Sequence, residues 1–265
     1  MMKFSERLAG TPSGNGAWHF QLAEELNGGF GGTNGGCLAA ICVFAARGVA
    51  PDRNPIGLDS RFIRSFRPGA ARVVPTVLNA GRTLTTVSVD IFTEEDKLAT
   101  RSTISLVAPE ALAVLSQVQD QVQAEEGALM AYGDGKLWRH PGKNFRIPLI
   151  DTFEPRYLGK RDGAIATGVK VIWDDPDASA EAACIAADIS VGPPVMGQLG
   201  RQRIAIPNPD LSLRFSGGVA GGDHMVSLCR LESLTAGLAT TSLEVRADGA
   251  LLAVGISTTT CLKGD

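Results

Sequence analysis

The feature that most constrains this chain of 265 residues is an internal repeat. Residues 81–107 align without gaps on residues 235–261 after a shift of 154 positions, so that Leu84 falls on Leu238. Several aligned positions keep the same residue, among them Thr86 with Thr240, Ser88 with Ser242 and Leu98 with Leu252. Self-similarity at a fixed spacing predicts two copies of one structural unit, each making up about half of the chain.

The repeated segments have the pattern of paired β-strands. Val87, Val89 and Ile91 alternate with polar residues, as expected of a strand that buries one face. An acidic or glycine-containing turn follows in each copy, and a second apolar segment returns from it. Each copy is therefore expected to end in four antiparallel strands. These are 57–67, 73–79, 87–91 and 98–106 in the first copy, and 210–215, 225–232, the counterpart of 87–91, and 251–259 in the second.

One helical segment is predicted ahead of the strands in each copy. In the first copy it runs from residue 31 to Arg47, and in the second it follows Asp175 and Pro176 and covers residues 178–187. Neither segment has a wide polar face, which is typical of a helix that is buried on all sides. The predicted fold class is therefore α+β, with two tandem antiparallel sheets that each wrap a central helix.

Composition and charge argue against several functional classes. The formal net charge is −3 and the pI is about 5.7, which does not fit a nucleic-acid-binding protein. No apolar run reaches the length of about 18 residues that a membrane span needs, and the first residues lack the core of a signal peptide. The five cysteines are odd in number and lie mostly in apolar stretches. We therefore expect buried free thiols in a cytoplasmic protein.

Several common catalytic patterns are missing. The glycine cluster at 28–36 lacks the spacing of a dinucleotide loop, and Cys37 stands where a phosphate loop needs lysine. These glycines either allow close packing at the helix start or expose amides to a ligand oxygen. His19, His140 and His224 are too scattered to predict a metal site. There is also no G-x-S-x-G motif of a serine hydrolase.

Asp188 is the most informative single residue. It follows the apolar run 182–187, so that a carboxylate enters an otherwise buried helical segment. An unpaired carboxylate costs several kcal/mol to bury, and it therefore needs partners or a task. Asp188 is either a catalytic or binding carboxylate, or it caps the turn before Pro193 and Pro194.

Five segments in order resemble one known family. They are 29–32 before the first helix, 65–69 with the sequence Ser-Phe-Arg-Pro-Gly, 81–84, 187–195 around Asp188, and 248–253 at the last turn. Together they resemble the double hot-dog acyl-CoA thioesterases, the acyl-CoA thioesterase II-like family. The resemblance covers nearly the whole chain, and it implies a double hot-dog fold.

The resemblance also implies a catalytic site. Family members use an Asp, a Thr and a Gln to hold and polarise the attacking water. The Asp matches Asp188, whereas Asn208 holds the Thr position and Ser257 holds the Gln position. Gly31 matches the Asp in the first copy, so that one active site per chain is implied. The family uses neither a metal nor an organic cofactor, and its acyl chain lies in an apolar tunnel between sheet and helix.

The implied activity is the hydrolysis of an acyl-CoA to a free acid and CoA, with Asp188 as general base or as nucleophile. The departures at Asn208 and Ser257 leave an alternative, in which the protein binds an acyl-CoA or acyl-carrier thioester without hydrolysing it. A hot-dog hydratase is disfavoured, because no histidine lies on the helix where that chemistry needs one.

The predicted organisation is an N-terminal hot-dog over residues 1–108, a linker over 109–145, and a C-terminal hot-dog over 146–265. A surface helix is expected over 109–126 in the linker. The two sheets should pair edge to edge, which protects their edge strands. The family resemblance and the frequency of closed two-fold symmetry favour a homodimer.

Overall fold

The computed structural model describes residues 3–112, 129–139, 146–200, 204–217 and 222–263. Its helices are α1 (Phe4–Arg7), α2 (Gly35–Val49), α3 (Pro148–Phe153), α4 (Ser179–Ser190) and α5 (Gly192–Leu199). Its strands are β1 (Thr11–Pro12), β2 (Trp18–Leu22), β3 (Asn54–Phe62), β4 (Gly69–Ala80), β5 (Leu84–Phe92), β6 (Leu98–Val107), β7 (Lys136–Leu137), β8 (Arg156–Arg161), β9 (Ala164–Lys170), β10 (Ile204–Ala205), β11 (Asp210–Phe215), β12 (His224–Thr235), β13 (Leu238–Ala247), β14 (Ala250–Thr260) and β15 (Leu262–Lys263).

Thirteen strands form one antiparallel sheet in the order β1-β2-β4-β5-β6-β3-β11-β14-β13-β12-β9-β8-β7. The two halves join where β3 pairs with β11, which places Asp210 opposite Arg61 and Arg214 opposite Gly57. The predicted edge-to-edge pairing of the two halves is therefore confirmed. Strands β10 and β15 form a separate short pair.

The repeat seen in the sequence corresponds to two equivalent hairpins, β5–β6 and β13–β14. Each hairpin turns at an aspartate with a left-handed backbone, Asp96 with φ 58° and Asp248 with φ 47°. Aspartate tolerates this conformation better than most residues, because its short side chain can hydrogen-bond locally. The acidic and glycine-containing turns predicted from the sequence are therefore confirmed.

Helices α2 and α4 lie against each other inside the curved sheet. Helix α2 also contacts β3, β4, β5 and β6, and α4 contacts β9, β12, β13 and β14. At their contact Gly36 lies against the α4 backbone at Cys184 and Ile185, because a glycine lets the two backbones approach closely. The prediction of buried helices wrapped by strands is confirmed.

Several boundaries differ from the predictions. Helix α2 begins at Gly35, four residues later than expected, because residues 28–33 form a loop in which Gly31 has φ 71°. Strand β3 ends at Phe62 and not at 67. Of the surface helix expected over 109–126, residues 109–112 contain a single 3₁₀ turn, Pro109–Ala111, and the rest lies outside the described residues.

The cysteines are free thiols, and four of the five are buried, as predicted: Cys37, Cys42, Cys184 and Cys229 are buried, and Cys261 is half-buried. Burial raises the pKa of Cys42 and of Cys229 to about 12, so that these thiols stay protonated near neutral pH.

None of the described helices is long and apolar enough to cross a membrane.

Candidate active site

The candidate site is built around the carboxylate of Asp188 in the last turn of α4. Asp188 is only 5% exposed and faces the N-terminus of α2. Its Oδ2 accepts a hydrogen bond from Asn34 Nδ2 at 2.5 Å, and its Oδ1 accepts one from Asn208 Nδ2 at 2.6 Å. The backbone N–H of Gly36 also donates to the carboxylate. Three N–H donors therefore hold one buried acid, and two of them come from the N-terminal half.

The pKa of Asp188 is raised, and the cause is burial. The hydrogen bonds from Asn208, Gly36 and Asn34 act in the opposite direction, because each of them stabilises the ionised form. Burial raises the pKa of Cys37 and of Cys184, and the charge of Asp188 in turn raises the pKa of both further, so that both thiols stay neutral. Among the described residues, the carboxylate is thus held by amides and has no cationic partner, and this environment suits a group that takes up and returns a proton.

Glycine is required where α2 meets α4. A Cβ on Gly36 would lie 2.6 Å from the carbonyl oxygen of Cys184 and 2.7 Å from Cβ of Asp188. A Cβ on Gly35 would lie 2.6 Å from the Phe62 ring and 3.0 Å from Oδ1 of Asp188. The glycines therefore allow close helix packing, one of the two interpretations of the cluster, and the amide of Gly36 binds the protein's own carboxylate.

The structure brings two of the three predicted site residues together. Asn208 lies just before β11 and contacts Asp188 directly. Ser257 lies on β14, is 1% exposed, and donates its hydroxyl to the carbonyl oxygen of Asp210 at 2.7 Å. Within the described residues, no hydrogen bond joins Ser257 to Asp188. The hydroxyl of Ser257 thus joins the neighbouring strands β11 and β14.

Asn34 is a site residue that the sequence analysis missed. Its signal was local, since an asparagine before a helical run is a common N-cap, but its partner lies 154 positions away. Gly31, which the resemblance matches to Asp188 in the first copy, lies in the loop before α2.

Asp188 is the tenth residue of α4, and the tenth residue of α2 is Phe44. Phe44 packs against aromatic rings at the other end of the helix pair. The ring centroids of Phe4, Trp18 and Phe20 lie 5.3, 4.8 and 6.0 Å from it. At this position α2 thus carries an aromatic residue and no acid. We call Phe44, Phe4, Trp18 and Phe20 the Phe44 cluster.

A cleft and a cavity lie near the helices. An open cleft of about 910 Å³ borders the glycine loop, and its lining includes Arg7, Asn27, Phe30 and Arg146. A small cavity of about 10 Å³ lies between α4 and β9. The cavity has room for about one water molecule, so an acyl chain could enter there only if side chains moved apart. In the described part of the chain, no group of three His, Cys, Asp or Glu residues is placed to hold a metal ion.

Comparison with solved structures identifies the fold. A protein with a hot-dog fold from Alicyclobacillus acidocaldarius superposes with a TM-score of 0.75 at 17% identity, covering 99% of this chain and 98% of that one. The chain has the double hot-dog fold. The tesB protein of Mycobacterium avium subsp. paratuberculosis has a TM-score of 0.72 at 17% identity, with 96% of each chain covered. An acyl-CoA thioesterase II from Mycobacterium marinum has a TM-score of 0.71 at 15% identity, with 99% of each covered.

The sequence of this double hot-dog protein also matches a family model. Residues 23–107 match the model described as the acyl-CoA thioesterase N-terminal domain. The match covers the segment from just before α2 to the end of β6, which includes Asn34, Gly35 and Gly36. A comparison with curated proteins finds no match.

Proposed function

We propose that this double hot-dog protein hydrolyses an acyl-CoA to a free acid and CoA. The observation that carries the proposal is the buried carboxylate of Asp188, held by Asn34, Asn208 and the Gly36 amide where the two halves meet. The family match of the N-terminal segment supports the same chemistry.

In the proposed reaction, Asp188 acts as the general base. It removes a proton from water while the water oxygen attacks the thioester carbonyl carbon, which gives a tetrahedral oxyanion. The C–S bond then breaks, and the CoA sulfur takes the proton from Asp188. The carboxylate of Asp188 accepts hydrogen bonds from Asn34, Asn208 and the Gly36 amide. Because a carboxylate offers about four acceptor sites, one remains to hold the water.

The oxyanion needs a donor, and our candidate is the backbone N–H of Gly35. This N–H has no hydrogen-bond acceptor in the described part of the chain, and Gly35 lies beside Oδ1 of Asp188. A preorganised backbone donor of this kind contributes about 3 kcal/mol to transition-state stabilisation.

The test is Asp188→Asn, assayed on a panel of acyl-CoAs from short to long chain by titration of the released thiol. Turnover should fall by about 10²–10⁴-fold, because the variant loses its base. Stability at neutral pH should change little or rise, because a buried charge becomes a neutral amide. Asn208 can accommodate the change, since its amide can rotate to accept from the new donor.

The control is Asp59→Asn, which alters an exposed carboxylate on β3 that pairs with Arg214 at 3.3 Å. This variant should keep wild-type turnover. The wild type should show an acidic limb in kcat/KM above the usual range for aspartate, because burial raises the pKa of Asp188. An absence of wild-type turnover on every acyl-CoA, or unchanged turnover in Asp188→Asn, would refute the proposal.

A second candidate function is the binding of an acyl-CoA or acyl-carrier thioester without hydrolysis. The observation that favours it is the hydroxyl of Ser257, which bonds to the carbonyl oxygen of Asp210 and leaves Asp188 without a donor from β14. Calorimetric titration with an acyl-CoA separates the two functions. Binding without released thiol supports this candidate, whereas release of CoA during the titration rules it out.

We also propose that residues 1–108 and 146–265 are the two hot-dog units, joined by a linker over 109–145. The protein is proposed to be cytoplasmic and to form a homodimer. The terminal strands of the large sheet, β1 and β7, are only two residues long. Because such short edges are poor templates for strand addition, the dimer should use a surface other than the sheet edge.

A further inference from the structure

Asn34 is held in a single orientation by the start of α2. Its side-chain Oδ1 accepts a hydrogen bond from the backbone N–H of Cys37 at 3.3 Å, and its own backbone N–H donates to the carbonyl oxygen of Leu26 at 2.9 Å. With Oδ1 turned toward Cys37, the amide nitrogen points at Asp188, 2.5 Å from Oδ2. A rotation of the amide would break the helix cap and place an oxygen against the carboxylate.

Asn208, the other asparagine at the site, is not restrained in this way. Its Nδ2 donates to Oδ1 of Asp188 at 2.6 Å, but its Oδ1 has no hydrogen-bond partner among the described residues. The amide of Asn208 can therefore turn over and accept a hydrogen bond, while the amide of Asn34 remains a donor. Of the two asparagines, only Asn34 is therefore held as a hydrogen-bond donor, which favours the ionised form of Asp188.

We infer that Asn34 is a positioning residue, through which the N-terminal half holds the carboxylate of Asp188 ionised and correctly oriented. The inference rests on the proposed function. A charge-assisted hydrogen bond stabilises the ionised acid against the cost of burial. Asp210, the nearest acid along the chain from Asn208, has partners of its own: it accepts from the backbone N–H of Thr258 at 2.7 Å and pairs with Arg61 at 3.4 Å.

Two substitutions separate this role from helix capping. Serine and aspartate both cap helices well, but in Asn34→Ser the side chain is too short to reach Asp188, and in Asn34→Asp it presents an acceptor. In Asn34→Ser, kcat/KM at neutral pH should fall about 10-fold, and the acidic limb should move up by about one pH unit. Asn34→Asp should move the acidic limb to still higher pH, because two carboxylates in contact share one proton. The control, Asn79→Ser at an exposed position on β4, should leave the profile unchanged.

An activity-independent measurement uses the free energy of unfolding in a cycle of wild type, Asn34→Ser, Asp188→Asn and the double variant. The loss caused by Asn34→Ser should grow with pH, since it raises the pKa of Asp188 further, and this growth should vanish when residue 188 is Asn. A loss of unfolding free energy that does not change with pH and is the same in both backgrounds would overturn the inference. An acidic limb that does not move would also overturn it. If the wild type shows no turnover, the proposed function fails and the cycle alone decides the role of Asn34.

A swapped pair covers the case in which Asn34→Ser does not fold. Asn34→Asp combined with Asp188→Asn keeps the cap and restores an amide-to-carboxylate hydrogen bond with exchanged roles. Recovery of folding, without recovery of turnover, supports the inference, because the base has moved to α2. A swapped variant that is no more stable than Asn34→Asp alone would contradict it.

Discussion

Replacement of Gly36 by alanine tests the close contact on which the site depends. The added methyl would lie 2.6 Å from the Cys184 carbonyl oxygen, 2.7 Å from Cβ of Asp188 and 2.8 Å from Cα of Ile185. Each distance is shorter than van der Waals contact by about 0.8 Å. Two of the three atoms belong to the backbone of α4, so that the clash can be relieved only if the helices move apart.

Overpacking of this kind costs about 1–3 kcal/mol, and the better helix propensity of alanine returns up to about 1 kcal/mol. We therefore expect Gly36→Ala to lower the free energy of unfolding by about 1–2 kcal/mol. The turnover should fall with it, because the shift carries Asp188 away from Asn34. Urea unfolding and the acyl-CoA assay measure the two effects.

Gly48→Ala is the matched control, because Gly48 lies in the last turn of the same helix. Its Cβ would meet only Nε1 of Trp18, at an ordinary 3.6 Å. This variant should be stabilised by about 0.5–1 kcal/mol through helix propensity and should keep full activity. If Gly36→Ala were as stable and as active as Gly48→Ala, the close contact would not be what requires glycine.

Two further predictions concern the buried acid of α4 and the assembly. Glu181 is fully buried and pairs with Arg47 at 2.9 Å, and its pKa is raised by burial despite that partner. Its ionisation therefore lowers stability as pH rises. Glu181→Gln should raise the urea midpoint above that of the wild type at about pH 8. The difference should disappear near pH 4, close to the usual pKa of glutamate. Light scattering should give about twice the chain mass of 27.7 kDa across micromolar concentrations; a mass equal to one chain would contradict the dimer.

The parts of the fold that were predictable are those with a periodic signal. Strand β11 was predicted with its observed bounds, Asp210–Phe215, because its apolar residues alternate. Strand β2 was missed, although Phe20 and Leu22 show the same alternation over a short length. Strands β8 and β9 were missed because glycines at 159 and 168 interrupt their pattern.

The site was only partly predictable. Asp188 was found because a carboxylate in an apolar helix is conspicuous, and Asn208 followed from the family resemblance. Asn34 was missed, because a contact across 154 positions leaves no periodic trace in the sequence. The orientation of Ser257 was also beyond the sequence, since alternation gives the face of a strand but not the hydrogen bond that a hydroxyl chooses.

The Phe44 cluster occupies the end of the helix pair opposite Asp188, and this has a consequence for how such a chain can evolve. In a symmetric dimer of single units, a substitution appears at both ends at once, so that every change must suit both. In a chain that contains both units, a substitution changes only one of the two ends. The end around Phe44 can accumulate aromatic packing that strengthens the fold, without any matching change around Asp188.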